Sequence, residues 1–247
     1  MGLFRKNKNQ DANTMETGVK MITITAPTSV DTEQFNTIRT NIKFSNVDKD
    51  YKTLMVTSSN ISEGKSTVSA NIATAFAKQG LHTLLVDSDL RRPTINATFG
   101  IDNPQGLSNY LSERNFDINS IIYKTSVKNL YVMPSGPIPP NPSELIGSKR
   151  MAELIKKLSE QLDLVIFDAP PVLSVTDAQI VSTNVDGTIL VVRANKTEKA
   201  AVKEAVRLIN QVGGHIIGTI LNDVEVKGGG YYGYYGYSKD SKKKKWV

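Results

Sequence analysis

Residues 58–91 constrain the possible folds of this chain more than any other stretch, because they place a phosphate-loop pattern between two apolar runs. The first run, residues 54–56, predicts a buried strand. The turn GKST at residues 64–67 follows it and opens a helical pattern that extends to about Gln79. The second run, residues 84–86, predicts another buried strand. The expected order is strand, turn, helix and strand.

This order predicts phosphate binding at the turn. Where a strand turns sharply into a helix, backbone N–H groups converge and the helix dipole adds positive potential. In such a loop, formed here with Gly64 and Thr67, Lys65 reaches the β- and γ-phosphates and the Ser66 hydroxyl is placed to ligate Mg²⁺. Ser59 stands where the pattern has its first glycine, so the match is imperfect. The alternative is an ordinary turn with an exposed lysine, which the strand–turn–helix context disfavours.

Composition excludes several classes of site. The sequence has no cysteine, which rules out disulfides, thiolate zinc sites and cysteine nucleophiles. No apolar run approaches the ~18 residues of a membrane-spanning helix, and the first ten residues lack the apolar centre of a signal peptide, so we expect a cytoplasmic protein. Of the net charge of +6, residues 228–247 supply +4, from five lysines and one aspartate. The basic character belongs mainly to the tail, and we expect no nucleic-acid partner.

The chain divides into three parts by composition. Residues 1–20 are polar and basic and are expected to form a disordered arm. Residues 21–227 alternate apolar runs with helical periodicities, which predicts one α/β domain. Residues 228–247 are rich in Gly, Tyr and Lys and are expected to form a flexible tail. Composition alone favours a tail without chemistry.

Within the domain, fully apolar strands that alternate with helices indicate a mostly parallel sheet with helices on both faces. Beyond the two strands above, strands are expected at residues 130–133, 164–167, 188–193 and 215–221. Helices are expected at residues 32–44, 107–111, 118–123, 144–146, 149–161 and 198–212, and from Thr176. Asp31 and Ser143 are interpreted as N-caps, and residues 22–24 as a short extended piece.

Polar side chains follow the predicted strands where ligands of such sheets bind. Asp87 and Asp89 end one strand, Asp168 ends another after four apolar residues, and Asn222 follows the last. Asp168 is expected to hold Mg²⁺. Of Asp87 and Asp89, one could ligate Mg²⁺ and the other accept a proton from an attacking hydroxyl. The alternative for each carboxylate is a loop cap.

Taken together, these motifs resemble those of bacterial tyrosine kinases that regulate capsular and exopolysaccharide synthesis. That family is part of the deviant-Walker P-loop NTPase group, which also includes the division and partition ATPases. The resemblance covers about residues 31–237. It rests on GKST at 64–67, LLVDSDLRRP at 84–93, GPIPPNPSELI at 136–146, VIFDAPPV at 165–172 and the tyrosine cluster near the end.

The resemblance implies an ATP-dependent kinase that phosphorylates its own tail. Lys65, Asp87 and Asp89 would be catalytic, and Asn222 would lie where the group often reads adenine. The phosphate-binding residues implied are Gly64, Lys65, Ser66 and Thr67; the magnesium-binding residues are Ser66, Asp87 and Asp168; the phosphate acceptors are Tyr231, Tyr232, Tyr234, Tyr235 and Tyr237.

The resemblance also implies partners. In the Gram-positive arrangement the kinase is a separate chain, activated by a transmembrane protein of the polysaccharide co-polymerase type. A cognate tyrosine phosphatase is usual, and sugar-nucleotide or glycosyl-transfer enzymes are frequent targets. The expected location is therefore the inner face of the cell membrane, reached through the activator, and a homo-oligomer is expected.

Two departures from the family pattern affect these expectations. Residues 61–62 are Ile-Ser where the family has Pro-Gly, which would alter nucleotide affinity. The family's oligomerisation helix carries E-x-x-R-x-x-R; here Glu33 and Arg39 match, and Asn36 replaces the first arginine. Glu33 and Arg39 are six residues apart, too far to meet in one helix. They are either solvated or pair with a neighbouring molecule.

Two other functions remain open at this level. The first is a partition- or division-type switch ATPase without tyrosine transfer; that group has an extra lysine early in the loop, where this chain has Asn60. The second is a regulator that binds nucleotide and its membrane partner without catalysis. The run Lys242–Lys245 could contact anionic lipid or simply be solvated.

Overall fold

A computed structural model describes residues 13–46, 50–102 and 104–225. Its strands confirm the prediction that the apolar runs form strands. They are β1 (Thr53–Ser58), β2 (Thr83–Asp87), β3 (Tyr123–Lys124), β4 (Leu130–Met133), β5 (Leu164–Asp168), β6 (Gly187–Arg193) and β7 (Ile216–Asn222). They form one sheet in the order β3-β4-β2-β5-β1-β6-β7. Every pairing is parallel except that of β3 with β4.

The helices cover both faces of the sheet, as predicted. They are α1 (Thr14–Thr17), α2 (Ile22–Thr25), α3 (Val30–Phe44), α4 (Lys65–Ala77), α5 (Ile95–Phe99), α6 (Leu107–Ser112), α7 (Pro142–Ile146), α8 (Lys149–Gln161), α9 (Asp177–Ser182) and α10 (Lys199–Gln211), with a 3₁₀ turn at Ile118–Ile121. Strands β1, β2 and β5 are buried along their whole length. Two apolar cores flank them, one beneath α3 and α4 and one beneath α8, α9 and α10.

The sequence-based expectation was wrong at several local positions. Residues 22–25 form helix α2 rather than an extended piece. Helix α3 begins at Val30, and its N-cap is Ser29, whose Oγ accepts from the Thr32 N–H (3.2 Å), rather than Asp31. The helix expected at 118–123 ends at Ile121, and residues 123–124 pair as an antiparallel edge strand. Ser143 lies inside α7, and Asn141 is at its N-cap.

The N-terminal segment also differs from the expected disordered arm over residues 13–20, which contact the domain; residues 1–12 lie outside the described residues. The Val19 N–H donates to Thr98 Oγ1 (3.0 Å). Asn71, fully buried in α4, has an amide that donates to the carbonyl oxygens of Lys20 and Thr67 (both 2.8 Å) and accepts from the Thr23 N–H (3.0 Å). One asparagine thus ties the N-terminal segment to the helix that carries the phosphate loop.

The helices are too short or too polar for a membrane span. None of those in the described part of the chain combines the length and apolar character that crossing a bilayer requires.

Replacing Asn71 with alanine tests the role of this buried amide. Asn71→Ala removes the partner of the buried Thr23 N–H and that of the partly buried Lys20 carbonyl. We expect a loss of about 1–3 kcal/mol in the free energy of unfolding, the usual cost of an unsatisfied buried polar group. Urea denaturation measures it. Asn41→Ala, an exposed asparagine of α3, is the control and is expected to change stability little.

Candidate active site

The carboxyl ends of β1, β2 and β5 converge at one edge of the sheet and bring the predicted site residues together. The loop after β1 ends at Gly64, which is the N-cap of α4 with φ 93°. The positive φ favours glycine here, and a Cβ at this position would also lie 2.1 Å from Asn222 Nδ2 and displace that amide. Lys65, Ser66 and Thr67 open α4, where backbone N–H groups have no partner within the helix and can bind an anion.

Lys65 is held by carboxylates from two neighbouring strand ends. Its Nζ lies 2.9 Å from Asp89 Oδ2 and 3.5 Å from Asp168 Oδ1, and it also donates to Ser66 Oγ (3.2 Å). Burial alone would lower the pKa of Lys65, but Asp168 and Asp89 outweigh burial and raise it. The lysine is therefore a fixed positive charge at the start of α4.

Asp87 is fully buried at the end of β2. Its Oδ2 accepts from the N–H groups of Thr94 (2.9 Å) and Ile95 (3.0 Å). Its Oδ1 is buried without a hydrogen-bond partner among the described residues. Burial, and then the nearby Asp168, which is its register partner on β5, raise the pKa of Asp87 to about 8. At neutral pH without ligand, Asp87 is therefore mostly protonated.

Asp89 and Asp168 complete the acidic edge. Asp89 Oδ1 accepts from the N–H groups of Arg91 (3.3 Å) and Arg92 (3.0 Å), and its Oδ2 faces Lys65. Burial raises the pKa of Asp168, against the opposing effects of Lys65 and Ser66. Its Oδ1 is ion-paired with Lys65 but, in the described part of the chain, accepts no hydrogen bond.

These groups suit magnesium in the company of a nucleotide. Oδ1 of Asp87 and Oδ1 of Asp168 are buried oxygens that accept no hydrogen bond from the described residues, and the Ser66 hydroxyl is close to Lys65. Residues 13–46, 50–102 and 104–225 contain no ready-made metal cluster of three or more His, Cys, Asp or Glu. Mg²⁺ is commonly bound by one or two carboxylates plus phosphate oxygens and waters, so the set present fits this ion.

The end of the last strand, β7, is hydrogen-bonded to the phosphate loop. Asn222 Nδ2 donates to the Glu63 carbonyl oxygen (3.0 Å). The Glu63 side chain, which is 4% exposed, accepts from the Ser59 N–H (2.9 Å) and the Thr197 hydroxyl (2.7 Å). Arg193 donates to the Ser62 carbonyl oxygen (3.0 Å). The sequence analysis did not identify Glu63, Thr197 or Arg193 as functional residues. Only Glu63 had a signal in the sequence, because an acidic residue is unexpected inside a loop that binds an anion.

Two of the motifs that carry the family resemblance meet beside this site. Arg91, from DLRRP, donates through Nε to Asp177 Oδ2 (3.1 Å) and through a terminal nitrogen to Ser143 Oγ (2.8 Å). Ser143, from PPNPSEL, donates to Asp177 Oδ1 (2.6 Å). Asp177 is fully buried, so Arg91 neutralises a buried carboxylate and fixes α7 against α9.

The residues of the α3 motif, both histidines and the tail tyrosines are not part of the site described above. On α3, Asn36 bridges Glu33 (3.3 Å to Oε1) and Arg39 (3.1 Å from its guanidinium), so the glutamate and arginine are joined through an intervening amide. His82 and His215 precede strands β2 and β7, at the opposite edge of the sheet. The five tail tyrosines, Tyr231, Tyr232, Tyr234, Tyr235 and Tyr237, lie outside the described residues.

Comparison with known proteins identifies the family. A family model described as an AAA domain matches residues 51–221. "Tyrosine-protein kinase YwqD" of Bacillus subtilis is 42% identical over 216 residues, which are 86% of this chain and 91% of that protein. The solved kinase domain of the Escherichia coli tyrosine kinase ETK is 30% identical, with a TM-score of 0.81, covering 96% of this chain and 89% of the other. The chain belongs to the bacterial tyrosine-protein kinases.

The expected wider fold group is also confirmed. The solved cell division ATPase MinD of Pyrococcus furiosus is 26% identical and has a TM-score of 0.59, covering 69% of this chain and 71% of that one. The kinase thus has the phosphate-loop NTPase fold of the division ATPases, and this fold implies the use of nucleotide and magnesium.

The raised pKa of Asp87 predicts a pH-dependent stability for the ligand-free kinase. The folded state holds the Asp87 proton up to about pH 8, while the unfolded chain releases it near pH 4. Stability is therefore highest below about pH 4 with respect to this group and falls as the pH rises toward 8. We expect the melting temperature to fall between pH 5 and pH 8.

Asp87→Asn supplies a neutral isostere and is expected to flatten this slope. Thermal unfolding in a pH series, without nucleotide or magnesium, measures the effect. Asp31→Asn, at an exposed position of α3, should keep the wild-type slope. An identical slope in Asp87→Asn and wild-type protein would contradict the assignment of the raised pKa to Asp87.

Proposed function

We propose that this kinase transfers the γ-phosphoryl group of ATP to tyrosines of its own C-terminal segment and thereby regulates capsular or exopolysaccharide synthesis. The acceptors are Tyr231, Tyr232, Tyr234, Tyr235 and Tyr237. The observation that carries the proposal is the position of the last strand. Asn222 is bonded to the phosphate loop, so the chain that leads to the tyrosines leaves the domain at the catalytic edge.

Lys65 changes partners during the proposed reaction. Without nucleotide it is ion-paired with Asp89 and Asp168. A triphosphate at the start of α4 offers it more negative charge, and its turn toward the β- and γ-phosphates releases both carboxylates. Lys65, the N–H groups at the start of α4, and Thr67 then hold the phosphates. The dipole of α4 and the lysine charge stabilise the negative charge of the transferring group.

The three carboxylates would then have different roles: Asp87 and Asp168 would bind the metal, and Asp89 would be the base. Ser66, Asp87 and Asp168 would hold Mg²⁺, which supplies charge neutralisation of the phosphates when bound. Asp89, whose Oδ1 is already held by backbone N–H groups, would use Oδ2 to accept the proton of the tyrosine hydroxyl. Asp87 is the second candidate for that base. Catalysis then consists mainly of positioning and electrostatics.

The remaining assignments follow the family resemblance. Asn222 would contact the adenine ring from its position beside Glu63. The activator would be a transmembrane protein of the polysaccharide co-polymerase type that brings the kinase to the inner face of the membrane, and a cognate phosphatase would reverse the reaction. Targets would be sugar-nucleotide or glycosyl-transfer enzymes. A homo-oligomer would let one tail enter the site of a neighbour.

Replacing Lys65 with methionine removes the charge that holds the phosphates. In Lys65→Met we expect phosphotyrosine formation to fall at least about 100-fold, in line with the loss of one main electrostatic contact to the transition state. Incubation with Mg-ATP, with and without a peptide from a candidate activator, followed by mass spectrometry of residues 226–247, measures it. Lys156→Met, an exposed lysine of α8, is the matched control with unchanged activity.

The outcomes of this assay separate the candidate functions. Tail phosphotyrosine that disappears in Lys65→Met supports the kinase assignment. ATP hydrolysis by wild-type protein without phosphotyrosine, even with the activator peptide, would replace it with the switch ATPase. If the protein bound nucleotide without hydrolysing it or transferring phosphate, it would be a non-catalytic regulator.

Transfer between molecules has its own test. Lys65→Met protein keeps its tail tyrosines, and a variant with all five changed to phenylalanine keeps its catalytic site. When the two are mixed, we expect phosphate on the tail of the Lys65→Met protein, because the tail enters a neighbour's site. Mass spectrometry distinguishes the two tails. If the mixture contained no phosphotyrosine while wild-type protein phosphorylated its own tail, transfer would occur within one molecule.

A further inference from the structure

The phosphate loop has a strained residue at Ser62. Its φ of 60° lies in the left-handed region, which is unfavourable for a residue with a Cβ. The Ser62 side chain is exposed, so packing of that side chain does not stabilise this conformation. A strained backbone persists only where surrounding contacts over-determine it. The loop therefore needs support on its backbone from another part of the domain.

Arg193 provides such support at the end of β6. Its guanidinium donates through one terminal nitrogen to the Ser62 carbonyl oxygen (3.0 Å) and through Nε to Asp223 Oδ2 (2.8 Å). Arg193 is 9% exposed, whereas the Asp223 side chain is 44% exposed, so solvent partly screens their ion pair. Asp223 directly follows β7 and also has φ 60°. One side chain thus joins two strained backbone positions.

A second set of bonds runs beside the first. The Arg193 N–H donates to Thr197 Oγ1 (2.9 Å). The Thr197 hydroxyl donates to Glu63 Oε1 (2.7 Å), and Glu63 Oε2 accepts from the Ser59 N–H (2.9 Å). Asn222 Nδ2 binds the Glu63 carbonyl oxygen (3.0 Å). The ends of β6 and β7 therefore support the loop at Ser59, at Ser62 and at Glu63.

We propose that Arg193 is a positioning residue for nucleotide binding, which holds Ser62 in its left-handed conformation and couples the phosphate loop to Asp223, at the start of the C-terminal segment. The inference rests on the proposed function only in that the loop binds a nucleotide. Arg193 acts through the Ser62 carbonyl, whose position it fixes, and thereby orders the loop that precedes the N–H groups at the start of α4.

Coupling of this kind is reciprocal. If the Arg193 bonds favour nucleotide binding by ordering the loop, bound nucleotide must favour the same bonds by an equal free energy. Residues 222–225, which carry the second partner of Arg193, should then be more protected when nucleotide is bound. Asp223 thereby responds to the occupancy of the site through Arg193, although only its neighbour Asn222 is a proposed nucleotide contact.

The test compares the affinity for MgADP, measured by titration calorimetry on the full chain. We expect Arg193→Met to bind MgADP about tenfold more weakly, since a hydrogen bond to a charged group contributes roughly that factor. Arg193→Lys, which cannot span both partners, should lose about threefold. Arg207→Met is the matched control: Arg207 is exposed on α10 and pairs through Nε with Glu204 (2.8 Å). The affinity of Arg207→Met for MgADP should equal that of the wild type.

A second substitution separates positioning from general damage. Ser62→Gly removes the cost of the left-handed conformation, so the loop no longer needs Arg193 to hold it. Ser62→Gly alone should change the affinity little. In the Arg193→Met background it should recover most of the lost affinity. Asp223→Asn, which weakens the hold on the guanidinium and leaves the loop untouched, should cost about threefold.

Hydrogen exchange of residues 222–225, with and without MgADP, completes the test. Protection by MgADP in the wild type that disappears in Arg193→Met supports the coupling. Wild-type affinity in Arg193→Met or, should that variant not fold, in Asp223→Asn would overturn the inference, as would a loss that Ser62→Gly leaves unrepaired. Because binding is measured without phosphoryl transfer, a wild-type protein that binds MgADP but forms no phosphotyrosine contradicts the proposed function alone.

Discussion

The ion pairs of Lys65 with Asp89 and Asp168 are the interaction on which the site depends. A parallel sheet brings the ends of neighbouring strands to one edge, and here two of those ends carry the register partners Asp87 and Asp168. Buried carboxylates so placed repel each other and resist ionisation. The ligand-free protein accommodates them with one buried lysine and one retained proton. Asp87, Asp89 and Asp168 are thereby kept in place at the edge where a ligand with phosphates and a cation would bind.

The phosphate loop is stabilised from the side of β6 and β7 as well as by its own Glu63, which accepts from the Ser59 N–H. Its left-handed position is occupied by Ser62, and the supporting groups come from Arg193, Thr197 and Asn222. Of these two strands, β7 leads into the C-terminal segment, and β6 leads into α10. The phosphate loop and the start of the C-terminal segment therefore share one set of contacts, through Arg193 and Asn222.

The departures from expectation have a common cause. Periodicity identified all the long helices and the buried strands, because apolar spacing reports burial directly. It failed for residues 22–25, whose alternating Ile and Thr read as extended, since the helix there depends on the bond between Thr23 and Asn71 across the domain. It failed for Ser143 because a serine near a helix start reads as a cap, whereas here the hydroxyl is used by Asp177. Tertiary partners overrode the local preference in both places.

The sequence by itself determined the sheet class, the position of the phosphate loop, and the strand-end residues Asp87, Asp168 and Asn222, because strand ends and helix starts follow from local patterns. The motifs also determined the family. Only the tertiary structure decided how these groups are paired: which carboxylates hold Lys65, which oxygens are left unpaired, and how Arg193 reaches Ser62. Those contacts join residues far apart in the chain, and the order of strands in the sheet, which no local pattern encodes, is what brings them together.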